Sequence, residues 1–322
     1  MKSHKVLITG GGGFIGTQVA WELALHGHDI TIVDRELPKH RYPGIYRVSD
    51  YLEFFEKNET HYDTIVHLAA EHIVPVSVTE PEKYYTNNVI KMKAMLDYMV
   101  ERRIKNIIFS SSGNTYGRQG GNGALIENLY YDPENPYAST KVTGELLIKD
   151  YARAYGLKYV NFRYFNAAGA DPLCRFGYVQ RPATHVIPIL CNKVLNDEVF
   201  QIYGNEYFTK DGTCIRDYVH VADLARAHSK AIEYLDAGNE NDTFNIGGGS
   251  SGISVKDLVD VVGKVVGKTP LVEYAPRREG DPGILVANIH KAKEKLDWEP
   301  MYNIEHIVQH AWDWEKKLET SE

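Results

Sequence analysis

A chain of 322 residues, 43% hydrophobic and 25% charged, can bury one large core or two smaller ones. Its formal net charge of -7 disfavours nucleic acid or an acidic membrane surface as a partner. Three cysteines (Cys174, Cys191, Cys214) lack disulfide-framework or metal-ligand spacing, and thirteen histidines are scattered; the expectation is a cytoplasmic protein with reduced thiols and no metal.

The first apolar run, Lys5 to Thr9, begins so early that no signal peptide is expected, and no run approaches the ~20 residues that span a bilayer. Gly10 to Gly16 follows it, and Thr17 to Gly27 has helical apolar spacing with a glycine stop. Asp29 to Asp34 completes a strand–helix–strand unit. Ile65 to Ala70 reads as a buried strand end, Tyr84 to Arg103 as a long helix, and Asn106 to Ser110 as a strand. Tyr137 to Tyr155 is a second long helix, and Lys158 to Arg163 the next strand. From about residue 167 the pattern loosens, with Pro172, Gly177, Pro182 and Pro188 before a helical Ile189 to Leu195. Alternation of this kind predicts an α/β fold: a doubly wound, Rossmann-type parallel sheet. A smaller mixed α/β unit built from insertions and the C-terminal region should complete it. The expected division is 1–166 with about 219–250, against about 167–218 with 251–322.

Gly10, Gly13 and Gly16 give Gly-x-x-Gly-x-x-Gly after a strand and before a helix. Such glycines allow a tight turn, close backbone approach to a pyrophosphate and close helix packing. The helix N-terminus offers free N–H groups to the phosphates. Asp34 ends the second strand, where a carboxylate accepts ribose hydroxyls and favours NAD over NADP, although Arg35 beside it could cradle a phosphate. Downstream, Ser112 closes a serine run from Ser110 at the carboxyl end of a strand, where ligands bind in such sheets. Tyr137 and Lys141 are four apart and share a helix face. A phenol ionises near ~10, and bringing it to ~7 takes about 4 kcal/mol, which a neighbouring cation helps to supply.

Several further blocks resemble one family nearly end to end. They include His67-Leu68-Ala69-Ala70, Tyr84 to Val89, Asn135-Pro136-Tyr137, Arg163-Tyr164-Phe165-Asn166, Asp211 to Val221, Phe244 to Gly247, and Ala275 to Asp281. With the glycine turn and the Ser/Tyr/Lys set, they are similar to the UDP-glucose (UDP-galactose) 4-epimerase family of extended short-chain dehydrogenases/reductases. The resemblance implies NAD binding at Gly10, Gly13, Phe14, Ile15, Gly16, Asp34, Asp50, Tyr51, Leu68, Ala69, Ala70, His72, Asn87, Ser110, Tyr137, Lys141 and Phe165. It implies catalysis by Ser112, Tyr137 and Lys141. Substrate would be held by Ser112, Tyr137, Asn166, His185, Arg216, Arg278 and Asp281, with Gln201 and Tyr203 beside the uracil. Guanidinium forks suit a diphosphate. Leu285 falls on the position that gates sugar size in the family.

The implied reaction is NAD-dependent epimerisation at C4 of a UDP-hexose through a transient 4-keto sugar, with tightly bound NAD regenerated each cycle. Hydride leaves C4 while Tyr137 takes the hydroxyl proton, helped by Ser112. The family also implies a homodimer through a four-helix interface, for which the Tyr84–Arg103 helix offers Met92, Met95 and Met99; the same stripe could instead face its own sheet. The chain departs from the family in having a short stretch between Asp34 and Asp50, and His72 where many relatives carry lysine. A dehydratase is disfavoured because Gly113-Asn114, not an acid pair, follows Ser112. UDP-glucuronate or UDP-pentose epimerisation, and a non-catalytic NAD-binding protein, stay open.

Overall fold

The computed structural model describes residues 2–36, 45–119, 123–278 and 281–320. The chain begins with β1 (Lys5–Thr9), α1 (Phe14–Leu25), β2 (Asp29–Asp34), β3 (Ile45–Val48), α2 (Tyr51–Lys57) and β4 (Thr64–His67). Next come α3 (Val74–Thr79), α4 (Pro81–Tyr85), a π-helical turn at Thr86–Ile90, and α5 (Lys91–Glu101). Strand β5 (Asn106–Ser112) runs into a 3-10 turn at Gly113–Tyr116, followed by α6 (Pro136–Tyr155) and β6 (Lys158–Tyr164). The rest is β7 (Asn166–Ala168), α7 (Val186–Leu195), β8 (Phe200–Tyr203), β9 (Ile215–Arg216), β10 (Tyr218–His220), α8 (Val221–Asp236) and β11 (Asp242–Ile246). It closes with β12 (Ile253–Ser254), α9 (Val255–Val266), β13 (Val272–Ala275), β14 (Ile284–Leu285), α10 (His290–Leu296) and α11 (Ile304–Glu319).

Seven strands form one sheet in the order β11-β6-β5-β4-β1-β2-β3, all neighbours parallel. The chain leaves β1 toward β2 and β3, then returns to β4 on the other side. That reversal opens a crevice at the carboxyl ends of β1 and β4. Period-2 alternation sends Val6 and Ile8 of β1 to one face and Leu7 to the other. The first face packs under α1, α8 and α10; the second packs under α2, α5 and α6. Each fully buried aliphatic side chain here contributes roughly 1.5–3 kcal/mol.

Short sheets carry the remainder: β10-β7, β12-β9-β14 and β13-β8. They lie with α7, α9 and α11 around a third apolar cluster that includes Leu190, Ile202, Leu258 and Val308. The segment from Ile289 to Trp298 packs instead into the main core, and the Trp298 indole N–H donates to the Asp223 carbonyl at 2.9 Å.

The long helix predicted from Tyr84 begins at Pro81 and is interrupted by the π turn, which rotates later residues relative to earlier ones. Met92, Met95, Leu96 and Met99 are all fully buried against Ile107 and Phe109 of the subunit's own sheet. The methionines are therefore not available as an interface stripe. The apolar side chains that α6 and the helix around the π turn leave open are Tyr85, Ile90, Leu146 and Tyr155.

Candidate active site

The glycine turn is built as its spacing requires. Gly10 has φ +72°, and a Cβ there would meet the Ala69 nitrogen at 2.6 Å; one on Gly16 would meet the Gly10 carbonyl at 2.5 Å. Leu68, Ala69 and Gly10 thus lie against one another where β1 and β4 end, and the Leu68 N–H donates to the Thr9 carbonyl at 3.0 Å. Gly13 is the N-cap of α1 and supplies no side chain to cap it, which leaves the first-turn N–H groups of Phe14 and Ile15 without a side-chain acceptor. Asp34 accepts from the Gly12 N–H at 2.9 Å, so its carboxylate stands over the turn. Arg35 is drawn off to Glu71 at 3.2 Å. A dinucleotide pyrophosphate and ribose fit this cradle: uncapped donors, no Cβ in the way, and a carboxylate at the end of β2.

Around it, Asp50 caps α2 by accepting from Leu52 N–H at 3.0 Å and pairs with Lys91 at 2.5 Å. Partial burial raises the Asp50 carboxyl, and these two donors outweigh it, holding it below its ordinary range. Tyr51 is buried, edge-on to His67. Asn87 is half-buried and turns its amide to the Lys83 carbonyl at 3.0 Å. Asn88 is the buried one: it brackets the Glu71 backbone at 2.8 and 3.0 Å and donates to Thr140 of α6 at 3.1 Å. The neighbouring asparagines are indistinguishable by spacing, and the π turn decides which faces inward. The stretch between Asp34 and Asp50 lies partly outside the described residues, at 37–44, as do residues 279 and 280 of the Ala275–Asp281 block.

Helix α6 is started by the Asn135 side chain, which accepts from Ala138 N–H at 2.9 Å, and by Pro136 at its first turn. That fixes where Tyr137 and Lys141 point. Lys141 is buried; its ammonium donates to the Ser110 carbonyl at 2.7 Å and lies 5.7 Å from the Tyr137 ring centroid. Ser112 accepts from Asn114 N–H at 3.2 Å, and its hydroxyl lies beside the Tyr137 phenol, whose pKa it lowers. Phe165 backs this turn, since a Cβ on Gly113 would lie 3.1 Å from its ring.

The electrostatics differ from the expectation. Burial pushes the Tyr137 phenol up to about 12 despite the Ser112 hydrogen bond that pulls it down. Burial also pushes Lys141 down to about 7. In a low-dielectric pocket both neutral forms gain, and the lysine by itself does not overcome that.

Among the positions expected to hold substrate, His185 precedes α7 and packs near-parallel to His72, with ring centroids 6.1 Å apart. Burial and the His72 imidazole push His185 down to about 4, so it is neutral at physiological pH. Asn166 donates to the Asp217 carbonyl at 2.9 Å. Arg216 pairs with Asp281 at 2.5 Å, and Leu285 of β14 stands directly opposite Arg216 in the β9–β14 register. Leu285 is buried in the main core. Gln201 and Tyr203 project from the exposed positions of β8 and bond each other at 3.1 Å, while the Arg278 guanidinium stacks on Tyr203 at 4.0 Å. The residues thus gather in three groups: turn with Ser/Tyr/Lys, Arg216 with Asp281 and Leu285, and Gln201 with Tyr203 and Arg278. Asp217 was missed. Its buried carboxylate accepts from Gly248 and Ala287 N–H at 2.7 and 3.0 Å, tying together the segments that follow β11 and β14, beside Arg216.

Among the described residues no group of three His, Cys, Asp or Glu could hold a metal ion, and no helix is long and apolar enough to cross a membrane.

Known proteins agree with this architecture. Residues 6–247 match the NAD dependent epimerase/dehydratase family. The chain is 40% identical to a UDP-glucose 4-epimerase of Halalkalibacterium halodurans, over 97% of this chain and 96% of that one. It is 39% identical to one of Lacticaseibacillus casei, with 96% of each covered. A crystal structure of UDP-glucose 4-epimerase from Brucella ovis in complex with NAD superposes with a TM-score of 0.89 at 38% identity, over 97% of this chain and 98% of that one. The chain therefore belongs to the NAD dependent epimerase/dehydratase family.

Proposed function

We propose that the protein is an NAD-dependent UDP-sugar 4-epimerase that interconverts UDP-glucose and UDP-galactose through a 4-keto sugar. The observation that carries the reading is the placement of Ser112, Tyr137 and Lys141 on one strand–helix pair beside the glycine turn. Asp34 over the turn and Arg35 engaged with Glu71 favour NAD over its phosphorylated form. NAD, held by that cradle, would supply the hydride acceptor and donor and, when oxidised, a positively charged ring.

Tyr137 takes the 4-hydroxyl proton of the sugar and later returns it, with Ser112 bonded to the same oxygen. Lys141 donates to the Ser110 carbonyl and lies beside the phenol. Arg216 and Arg278 grip the diphosphate, Asn166, His185 and Asp281 border the substrate, Gln201 and Tyr203 receive the uracil, and Leu285 limits the sugar. Anchoring through UDP alone leaves the keto sugar free to turn over. Residues 1–166 with 219–250 serve the cofactor, and 167–218 with 251–322 the sugar nucleotide, apart from Ile289 to Trp298, which packs in the main core. We place the enzyme in the cytoplasm as a homodimer in galactose metabolism; free Cys174, Cys191 and Cys214 fit a reducing compartment.

Incubating purified protein with UDP-glucose, UDP-galactose, their N-acetylated pair, UDP-glucuronate and a UDP-pentose, with C4 epimers resolved by NMR, tests the reading. Rapid interconversion of the plain hexoses is expected. Turnover confined to the uronate or pentose would replace the substrate assignment, and none on any sugar would overturn it.

A further inference from the structure

Helix α6 touches strand β5 through three rungs. Tyr137 meets Ser112 and Lys141 meets the Ser110 carbonyl, both in the site described above. The third rung is one turn further on. Glu145, in series with Tyr137 and Lys141 at four-residue spacing, accepts from the Ser111 hydroxyl. It also receives a bidentate grip from Arg163 of β6, at 2.9 and 2.8 Å, and a bond from the Tyr131 hydroxyl at 3.0 Å. Ser111 and Arg163 are direct partners in the β5–β6 register, so one carboxylate clamps both strands to the helix.

The cluster is inside the protein: Glu145, Arg163 and Ser111 are each 3% exposed or less. The Arg163 guanidinium lies between the Tyr116 and Tyr131 rings, at 4.7 and 5.1 Å from their centroids. Its remaining arm donates to the Glu127 carbonyl at 3.2 Å, and the Glu127 carboxylate accepts from Asn245 N–H at 2.9 Å. Asn245 donates to the Leu125 carbonyl at 2.8 Å, and Leu125 N–H donates to the carbonyl of Val286, next to Leu285.

A buried ion pair is weak grounds for stability, because an apolar replacement of both partners often serves as well. What an apolar pair cannot do is take a hydroxyl from the middle of a serine run whose two flanking residues face the reacting groups. We propose that Glu145, held by Arg163, is a positioning residue that fixes β5 against α6 through Ser111 and so sets the Tyr137–Ser112 geometry. The inference rests on the epimerase reading for its kinetic consequence only. Errors of an ångström in such geometry cost on the order of 10²-fold in rate.

Ser111→Ala is the sharpest test, since it cuts the tie to β5 and leaves the Glu145–Arg163 pair intact. In the NAD-loaded enzyme we expect kcat to fall about tenfold with KM within about twofold, and Ser111→Thr, which keeps the hydroxyl, to recover most of the loss. A second variant, Glu145→Leu with Arg163→Met, strands no buried charge and should lose turnover likewise while still binding NAD. Unchanged kcat in Ser111→Ala and in the double variant overturns the proposal, as does a loss that Ser111→Thr does not recover.

A substrate-independent readout separates this from failure of the epimerase reading. In protein labelled with 13C at the tyrosine ζ carbon, the Tyr137 resonance is assigned by its loss in Tyr137→Phe. Loosening the Ser112 contact should shift the Tyr137 resonance of Ser111→Ala from its wild-type position at neutral pH, and Ser111→Thr should return it. A wild type inactive on every sugar, with that shift present, removes the epimerase reading and keeps the positioning role; activity without any shift or kcat change removes the positioning role alone.

Discussion

In the proposed reaction Tyr137 is the residue on which the chemistry turns. Tyr137→Phe should lower kcat by ~10²–10⁴, the usual scale of a general acid–base contribution, while UDP binding measured by calorimetry stays within a factor of two to three, roughly the spread expected when no anchoring contact changes. Retention of a third of wild-type turnover would remove it as the base. Leu285 sets a different prediction. It is buried and faces Arg216 across β9–β14, so Leu285→Tyr should suppress turnover of the N-acetylated sugars relative to the plain hexoses. Overpacking should also cost about 1–3 kcal/mol in denaturant unfolding. An unchanged activity ratio in the folded variant moves the gate elsewhere. The turn glycines and the Tyr137–Lys141 spacing were legible because they are local. The pairing of Arg216 with Asp281 was not, since it joins positions 65 apart in sequence through two short strands. Nor did spacing foretell that burial dominates the tyrosine.

At the level of elements, the helices show where pattern reading succeeds and where it fails. The helix predicted from Tyr137 starts at Pro136 behind an Asn135 cap, and Asn135→Ala should cost about 1 kcal/mol by removing that cap. The methionine stripe was seen, but its direction depended on the π turn at Thr86–Ile90, which leaves no clear mark in composition. Helix α11 makes a pH-dependent attachment: buried Glu315 pairs with Arg181 at 2.6 Å, yet burial pushes its carboxyl up to about 7. A carboxyl raised in the folded state binds more protons there than when unfolded. Its stabilising contribution is full below the unfolded value near 4.5 and is lost as pH rises through about 7. Between pH 5 and pH 8 the wild type should therefore lose about 2–3 kcal/mol relative to Glu315→Gln, read from denaturant midpoints. A gap that does not change with pH would show that Arg181 already offsets the burial.

For the molecule as a whole, the parallel sheet and the crevice followed from strand–helix alternation, and the order of strands placed the glycine turn at the reversal point. The small sheets did not follow from pattern, because β9, β12 and β14 have two residues each and pair across long separations. NAD should co-purify in near-stoichiometric amount and appear in the supernatant after acid precipitation; activity strictly dependent on added NADP would contradict the Asp34 assignment. Assembly is tested on the open face rather than on the methionines. Leu146→Arg, on the exposed side of α6, should convert a dimer to a monomer in light scattering, whereas a wild type already monomeric at micromolar concentration would refute the dimer.

The placement of β11 and Trp298 in the main core also bears on how the protein is made. Edge strand β11 reaches β6 only after residue 246, and α10 with Trp298 covers α8 later still. A nascent chain thus holds β1 through β6 for much of its synthesis with one sheet edge and one core face uncovered. Three of the four tryptophans lie beyond residue 297, so the rise of intrinsic fluorescence during refolding should coincide with closure of the whole core rather than precede it. Ribosome-stalled chains ending near residue 240 should be cleaved by protease throughout the first half, and chains carrying the full C-terminus should resist.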